Sequence, residues 1–157
     1  MRRATLVIAV LGLALNTPSL LAQTGTLSDI EGIGPASVEK LATAGVKTPK
    51  DLLKAGGTPD GRAQLSQKTG ISTDHLLKWV NRADLSRVKG VGPQYADLLE
   101  ASGVDTPKEL ASRNADNLVA SMTKTNAAKH LVHQVPSASQ VDGWIKNAKT
   151  LKPMVEY

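Results

Sequence analysis

Two segments of this chain carry residues that can do chemistry, and the chemistry they suit is holding an anion. Val88-Lys89-Gly90-Val91-Gly92-Pro93 sets an aliphatic residue between two glycines, with Arg87 and Lys89 just ahead of them. Glycines permit positive φ and close backbone approach. A Gly-aliphatic-Gly turn that leads into a helix with proline in its first position leaves several N–H groups facing outward. A helix start of that kind attracts phosphate. Arg87 and Lys89 would add charged donors to the same phosphate. Ile30-Glu31-Gly32-Ile33-Gly34-Pro35 has the same pattern with the opposite flanking charge, Asp29 and Glu31. Carboxylates beside a phosphate repel it. The nucleic-acid candidates are therefore Arg87, Lys89, Gly90, Val91 and Gly92. Gly32, Ile33, Gly34, Pro35 and Pro93 are expected to build the hairpins. The plain alternative for both segments is a tight turn between packed helices, with no ligand.

Other reactive side chains are sparse. His130 and His133 stand three apart on an expected helix, but no cysteine or nearby carboxylate completes a metal site. No P-loop, no Gly-x-Ser-x-Gly and no nucleophile–base pairing is present. The chain is thus expected to be no enzyme, with no catalytic residues, no metal and no cofactor. Arg113, Lys124, Lys129, Lys146, Lys149 and Lys152 concentrate toward the C-terminus. They make either a solvated face or, if gathered beside the second hairpin, a patch that tracks a phosphate backbone. Trp79 and Trp144 sit between apolar neighbours and are expected to anchor a core.

The elements that position these residues come as an internal repeat. Leu27-Ser-Asp-Ile-Glu-Gly-Ile-Gly-Pro35 returns as Leu85-Ser-Arg-Val-Lys-Gly-Val-Gly-Pro93. At the same offset Leu41 matches Leu99, Gly45-Val46 matches Gly103-Val104, and Thr48-Pro-Lys-Asp-Leu52 matches Thr106-Pro-Lys-Glu-Leu110. Trp79-Val80 with Ala83 matches Trp144-Ile145 with Ala148 after a short insertion. The units run over about 27–84 and 85–150, and Asp84-Leu85 joins them without a linker. Thr48, Thr106 and Ser137 read as N-caps, Pro35 as a first helical residue, and Gly45 as a left-handed helix end. No period-two alternation is sustained, so no strand is expected. With 41 % hydrophobic residues, 3 % aromatic residues and no Phe, the core must come from Leu, Val, Ile and Ala. That composition favours packed helices.

The N-terminus reads as a secretory signal peptide over residues 1–22. Arg2 and Arg3 precede an apolar run, Ala4 to Leu15, that is too short to span a membrane, and cleavage is expected after Ala22. Residues 23–157 are then periplasmic or secreted, with no later membrane span. The absence of cysteine excludes disulfides and a lipoprotein anchor. The formal charge of +5 includes Arg2 and Arg3, so the mature chain carries +3, which permits an anionic partner without demanding one.

The paired Gly-aliphatic-Gly-Pro segments resemble the helix-hairpin-helix superfamily, with its SAM-like all-α fold. With the Gly-Val helix end, the Thr-Pro cap, Gly61-Arg62, Trp79-Val-Asn-Arg-Ala-Asp-Leu85 and Val135-Pro136-Ser137, the chain is more similar still to a bacterial family, domain of unknown function 4332. The resemblance implies tandem helix-hairpin-helix units packed as one helical domain. Together with the expected signal peptide, it implies an exported, non-catalytic binding module that grips the double-stranded DNA phosphate backbone without reading sequence, through the second hairpin. The alternative is protein–protein interaction or self-association with no nucleic-acid binding.

Overall fold

Proline and glycine punctuate the chain at intervals too short for long helices, and the helices are accordingly short. The computed structural model describes residues 25–157, and the expected signal peptide lies outside them. A 3₁₀ turn at Leu27–Asp29 precedes α1 (Pro35–Thr43), α2 (Pro49–Gly56), α3 (Pro59–Thr69), α4 (Thr73–Leu85), α5 (Pro93–Ala101), α6 (Pro107–Ala111), α7 (Ala115–Lys129) and α8 (Ala138–Ala148). Among the described residues there is no strand, and the protein is all-α. None of these helices is long and apolar enough to cross a membrane.

Helix starts follow their side chains. Thr48 Oγ1 accepts from Asp51 N–H at 3.1 Å, and Asp51 Oδ2 accepts from Thr48 N–H at 3.0 Å. This reciprocal pair satisfies two donors that the first turn would otherwise leave unpaired. Thr106 and Ser137 cap α6 and α8 in the same way from one side, at 3.2 Å each. Gly45 and Gly103 take positive φ just after α1 and α5, where a Cβ would be strained. The expected helical pairing of His130 with His133 does not hold. α7 ends at Lys129, and His130 itself adopts the left-handed end conformation, with φ of 53°. That turn takes His133 off the helix.

Packing follows the same order in both halves. α2 and α3 lie against α4, and α6 and α7 lie against α8. Leu41, Leu52, Leu76 and Val80 are fully enclosed in one cluster. Leu99, Leu110, Met122 and Val141 are fully enclosed in a second. The domain therefore holds two cores. Leu85, the last residue of α4, already belongs to the second, so a single helix runs from one core into the other. Trp79 and Trp144 are 5 % and 2 % exposed, as core anchors should be.

The C-terminal tail ties the second half back onto the first. Glu156 N–H donates to Gly57 O at 2.7 Å, and Arg62 Nη2 donates to Glu156 O at 2.8 Å. Arg62 is 5 % exposed, and its Nη1 also reaches Gly56 O and Gly57 O. The equivalent place after the N-cap of α7 is Leu118, which is buried among apolar residues. Arginine replaces leucine where there are carbonyls to satisfy it.

Each tryptophan closes a glycine turn. Gly32 and Gly90 have φ of +88° and +91°, and a Cβ there would stand 3.1 Å from Trp79 Nε1 and 3.0 Å from Trp144 Nε1. Gly90→Ala therefore meets both backbone strain and an indole that cannot retreat. It is expected to lower stability by about 1–3 kcal/mol, measured by urea denaturation followed through tryptophan fluorescence. An unchanged midpoint would show that the turn tolerates a side chain.

Candidate functional site

The second hairpin forms as the chain leaves α4. Val88 N–H bonds to Leu85 O and Val91 N–H to Val88 O, which turns the backbone sharply. Val88 and Val91 plug into the core at 1 % and 4 % exposure. Gly92 then precedes Pro93 as the N-cap of α5, with no side chain to cap it. The first bond of α5 runs from Ala96 N–H to Gly92 O. The N–H groups of Gly92, Gln94 and Tyr95 consequently have no acceptor among the described residues, which is the general condition of a helix start.

The charged candidates do not gather there. Arg87 turns inward and pairs with Asp84, a carboxylate that is 1 % exposed. Its Nη2 donates to Lys152 O at 3.1 Å. Burial pushes the Asp84 pKa up, and the Arg87 guanidinium opposes that shift. Arg87 thus neutralises a buried acid and is not directed at a ligand. Lys89 is exposed, but its N–H donates to Asn147 Oδ1 at 2.7 Å. Its ammonium, unlike the Arg87 guanidinium, makes no ion pair among the described residues. Of the C-terminal cations, Lys146 pairs with Asp142 at 2.7 Å and Arg113 Nη2 donates to Gly103 O at 2.7 Å.

Carboxylates come to the second hairpin instead. Asp29 and Glu31 from the first hairpin share an open pocket of about 520 Å³ with Gly90, Gly92, Pro93, Gln94, Tyr95 and Asp97. Every charged group lining that opening is acidic. The sequence separates the acidic hairpin from the basic one, whereas the fold sets the first against the mouth of the second.

The residue responsible is Arg82, near the end of α4. Its Nη1 donates to the backbone carbonyl of Glu31 at 2.8 Å. Its Nε stands 2.7 Å from both Asp97 Oδ1 and Glu100 Oε2 on α5. The first hairpin and α5 are therefore held to one guanidinium. Arg82 is not among the site residues that the sequence suggests. The available signal was its mismatch with Asn147, which lies at the same distance after Trp144 as Arg82 does after Trp79. Both residues reach their own hairpin, Arg82 at Glu31 O and Asn147 at Lys89 N–H. Only Arg82 also reaches the other half, at Asp97 and Glu100.

Two carboxylates against one guanidinium leave a negative excess. Burial, opposed by Arg82 and aided by Glu31 and Glu100, pushes the Asp97 pKa up to about 6. Burial also raises Glu100. A carboxyl whose folded pKa lies above its unfolded value stabilises the fold when protonated. That contribution is complete below the unfolded value near 3.8 and is lost as pH rises through about 6. Asp97→Asn is therefore expected to raise the melting temperature at pH 7, with the gain shrinking toward pH 4. Thermal unfolding by circular dichroism across that range checks it. A lower melting temperature at pH 7 would mean that the ionised pair outweighs its desolvation.

Among the described residues no group of three or more histidines, cysteines and carboxylates is placed to hold a metal ion. No curated protein and no solved structure matches this chain. A family match extends over residues 31–151, from Glu31 of the first hairpin to the turn that follows α8 and short of the tail that crosses to Gly57. By that match the chain belongs to the family described as Domain of unknown function (DUF4332).

Proposed function

We propose that this protein is a non-catalytic interaction module of two helix-hairpin-helix units, 27–84 and 85–150, that takes a protein partner and not duplex DNA. One observation carries the choice. Asp29, Glu31 and Asp97 line the same opening as Gly90, Gly92 and Gln94. A phosphate entering there faces three carboxylates together with the free N–H groups. Duplex binding depends on cations that replace the counterions of the backbone. Of the two basic residues beside this hairpin, Arg87 is committed to Asp84. Arg2, Arg3 and the apolar run behind them support export, with the module acting outside the cytoplasm after cleavage.

The DNA reading keeps one support, the exposed Lys89 beside the unpaired N–H groups of Gly92 and Gln94. A fluorescence titration with labelled duplex DNA at low and at physiological salt separates the two. The expected result is no saturable binding at either salt and no difference on Lys89→Glu. Binding that weakens steeply with salt and is lost in Lys89→Glu would overturn the proposal in favour of DNA.

A further inference from the structure

The halves leave a groove of about 660 Å³ between them, continuous with the acidic opening through Asp29, Glu31, Gly92, Pro93 and Asp97. Its floor is aliphatic and nearly closed to solvent, no residue of it more than 6 % exposed, with Pro49, Pro93 and Met154 as its more open apolar lining. Ile30 and Leu53 come from the first half, Ala83 from the end of α4, and Val91 and Ala96 from the second half. A groove of that size, apolar beneath and charged at the edge, suits a ligand side chain with one polar anchor.

The edge charges are of unequal availability. Arg82 and Arg87 line the groove but are held by Asp97, Glu100 and Asp84. Lys50 is the remaining basic group, and Asp29 and Glu31 line the groove with it, all three exposed. The charge left to a newcomer is acidic. A second copy of this chain is a poor occupant. Among the described residues the exposed large hydrophobics are Met154 and Tyr157. Both lie on the tail that is already fastened to the first half, Tyr157 through Asn81 and Glu156 through Gly57.

We infer that the groove binds a peptide segment of another protein in which an aliphatic side chain is flanked by lysine or arginine. The aliphatic group fills the floor over Ile30, Ala83 and Val91, and the cation meets Asp29 and Glu31 at the edge. This rests on the reading of the chain as a protein-interaction module and adds the chemistry of the partner.

The probes are two heptapeptides, one alternating lysine and leucine and one alternating glutamate and leucine, titrated into the ¹⁵N-labelled whole chain. The lysine peptide is expected to shift the amides of Ile30, Ala83, Val91 and Ala96, and the glutamate peptide is not. Glu31→Lys is expected to weaken the lysine peptide about tenfold and Lys50→Glu to tighten it several-fold, since opposed charges at an interface set specificity. Both positions are exposed, and Glu31 offers Arg82 only its backbone carbonyl, so neither change disturbs the fold. Binding of neither peptide, equal binding of both, shifts elsewhere on the surface, or indifference to Glu31→Lys would each overturn the inference. So would contacts in the groove from residues 4–15 of the chain itself, which would assign it to that segment. A chain that refuses duplex DNA and the lysine peptide alike loses this inference and keeps the wider reading.

Discussion

Arg82 joins the first hairpin to α5 through a hydrogen bond to a backbone carbonyl and ion pairs to two carboxylates. A lysine could offer only a point charge at the end of a flexible stem. The planar guanidinium presents donors on separate edges and so fixes two directions at once. Removing Arg82 would leave two part-buried carboxylates uncompensated, which is costlier than never having formed the set. The angle between the two cores follows from this contact and from the run of α4 into the second core at Leu85. The inter-half groove and its acidic edge follow in turn.

Within each half the stabilising arrangement is different and local. An indole edge lies over a glycine of positive φ, Trp79 over Gly32 and Trp144 over Gly90. The hairpin is thereby pressed onto the last helix of its own half, with an aliphatic residue plugged below. The two halves can share this packing and still differ on their surfaces, because the flanking side chains are not part of it. The tail then breaks the likeness. It crosses to the first half, between α2 and α3, where Arg62 replaces the apolar residue that α7 has, and to Asn81 on α4.

Charge placement decides between the readings of the second hairpin. Viewed alone it has a helix start, two glycines and two basic neighbours. In the folded protein one neighbour neutralises Asp84 and the opening receives Asp29, Glu31 and Asp97. A negative edge around a helix N-terminus partly satisfies that positive end from within the protein. What remains is a groove with acidic margins over aliphatic residues that are themselves buried.

Much of this fold was legible in the sequence, because its determinants are local. Proline at first helical positions, threonine and serine caps, and glycines after Leu41 and Leu99 are short-range signals, and the helices follow them. The internal match identified Trp79 and Trp144 as equivalent anchors before any packing was known. The helical pairing of His130 and His133 was read wrongly for a local reason too, since a non-glycine residue took the left-handed turn that Gly70 takes in the first half. The candidate site was not legible, because it depends on residues some 50 to 65 positions apart. Arg82 to Glu31, Arg87 to Lys152 and Lys89 to Asn147 are contacts between distant parts of the chain. The sequence by itself determined the helices, their caps and the paired hairpins, since each is written within a few neighbouring residues. Only the tertiary structure decided which charges share a surface, because α4 carries the acidic hairpin onto the basic one and Arg82 holds it there.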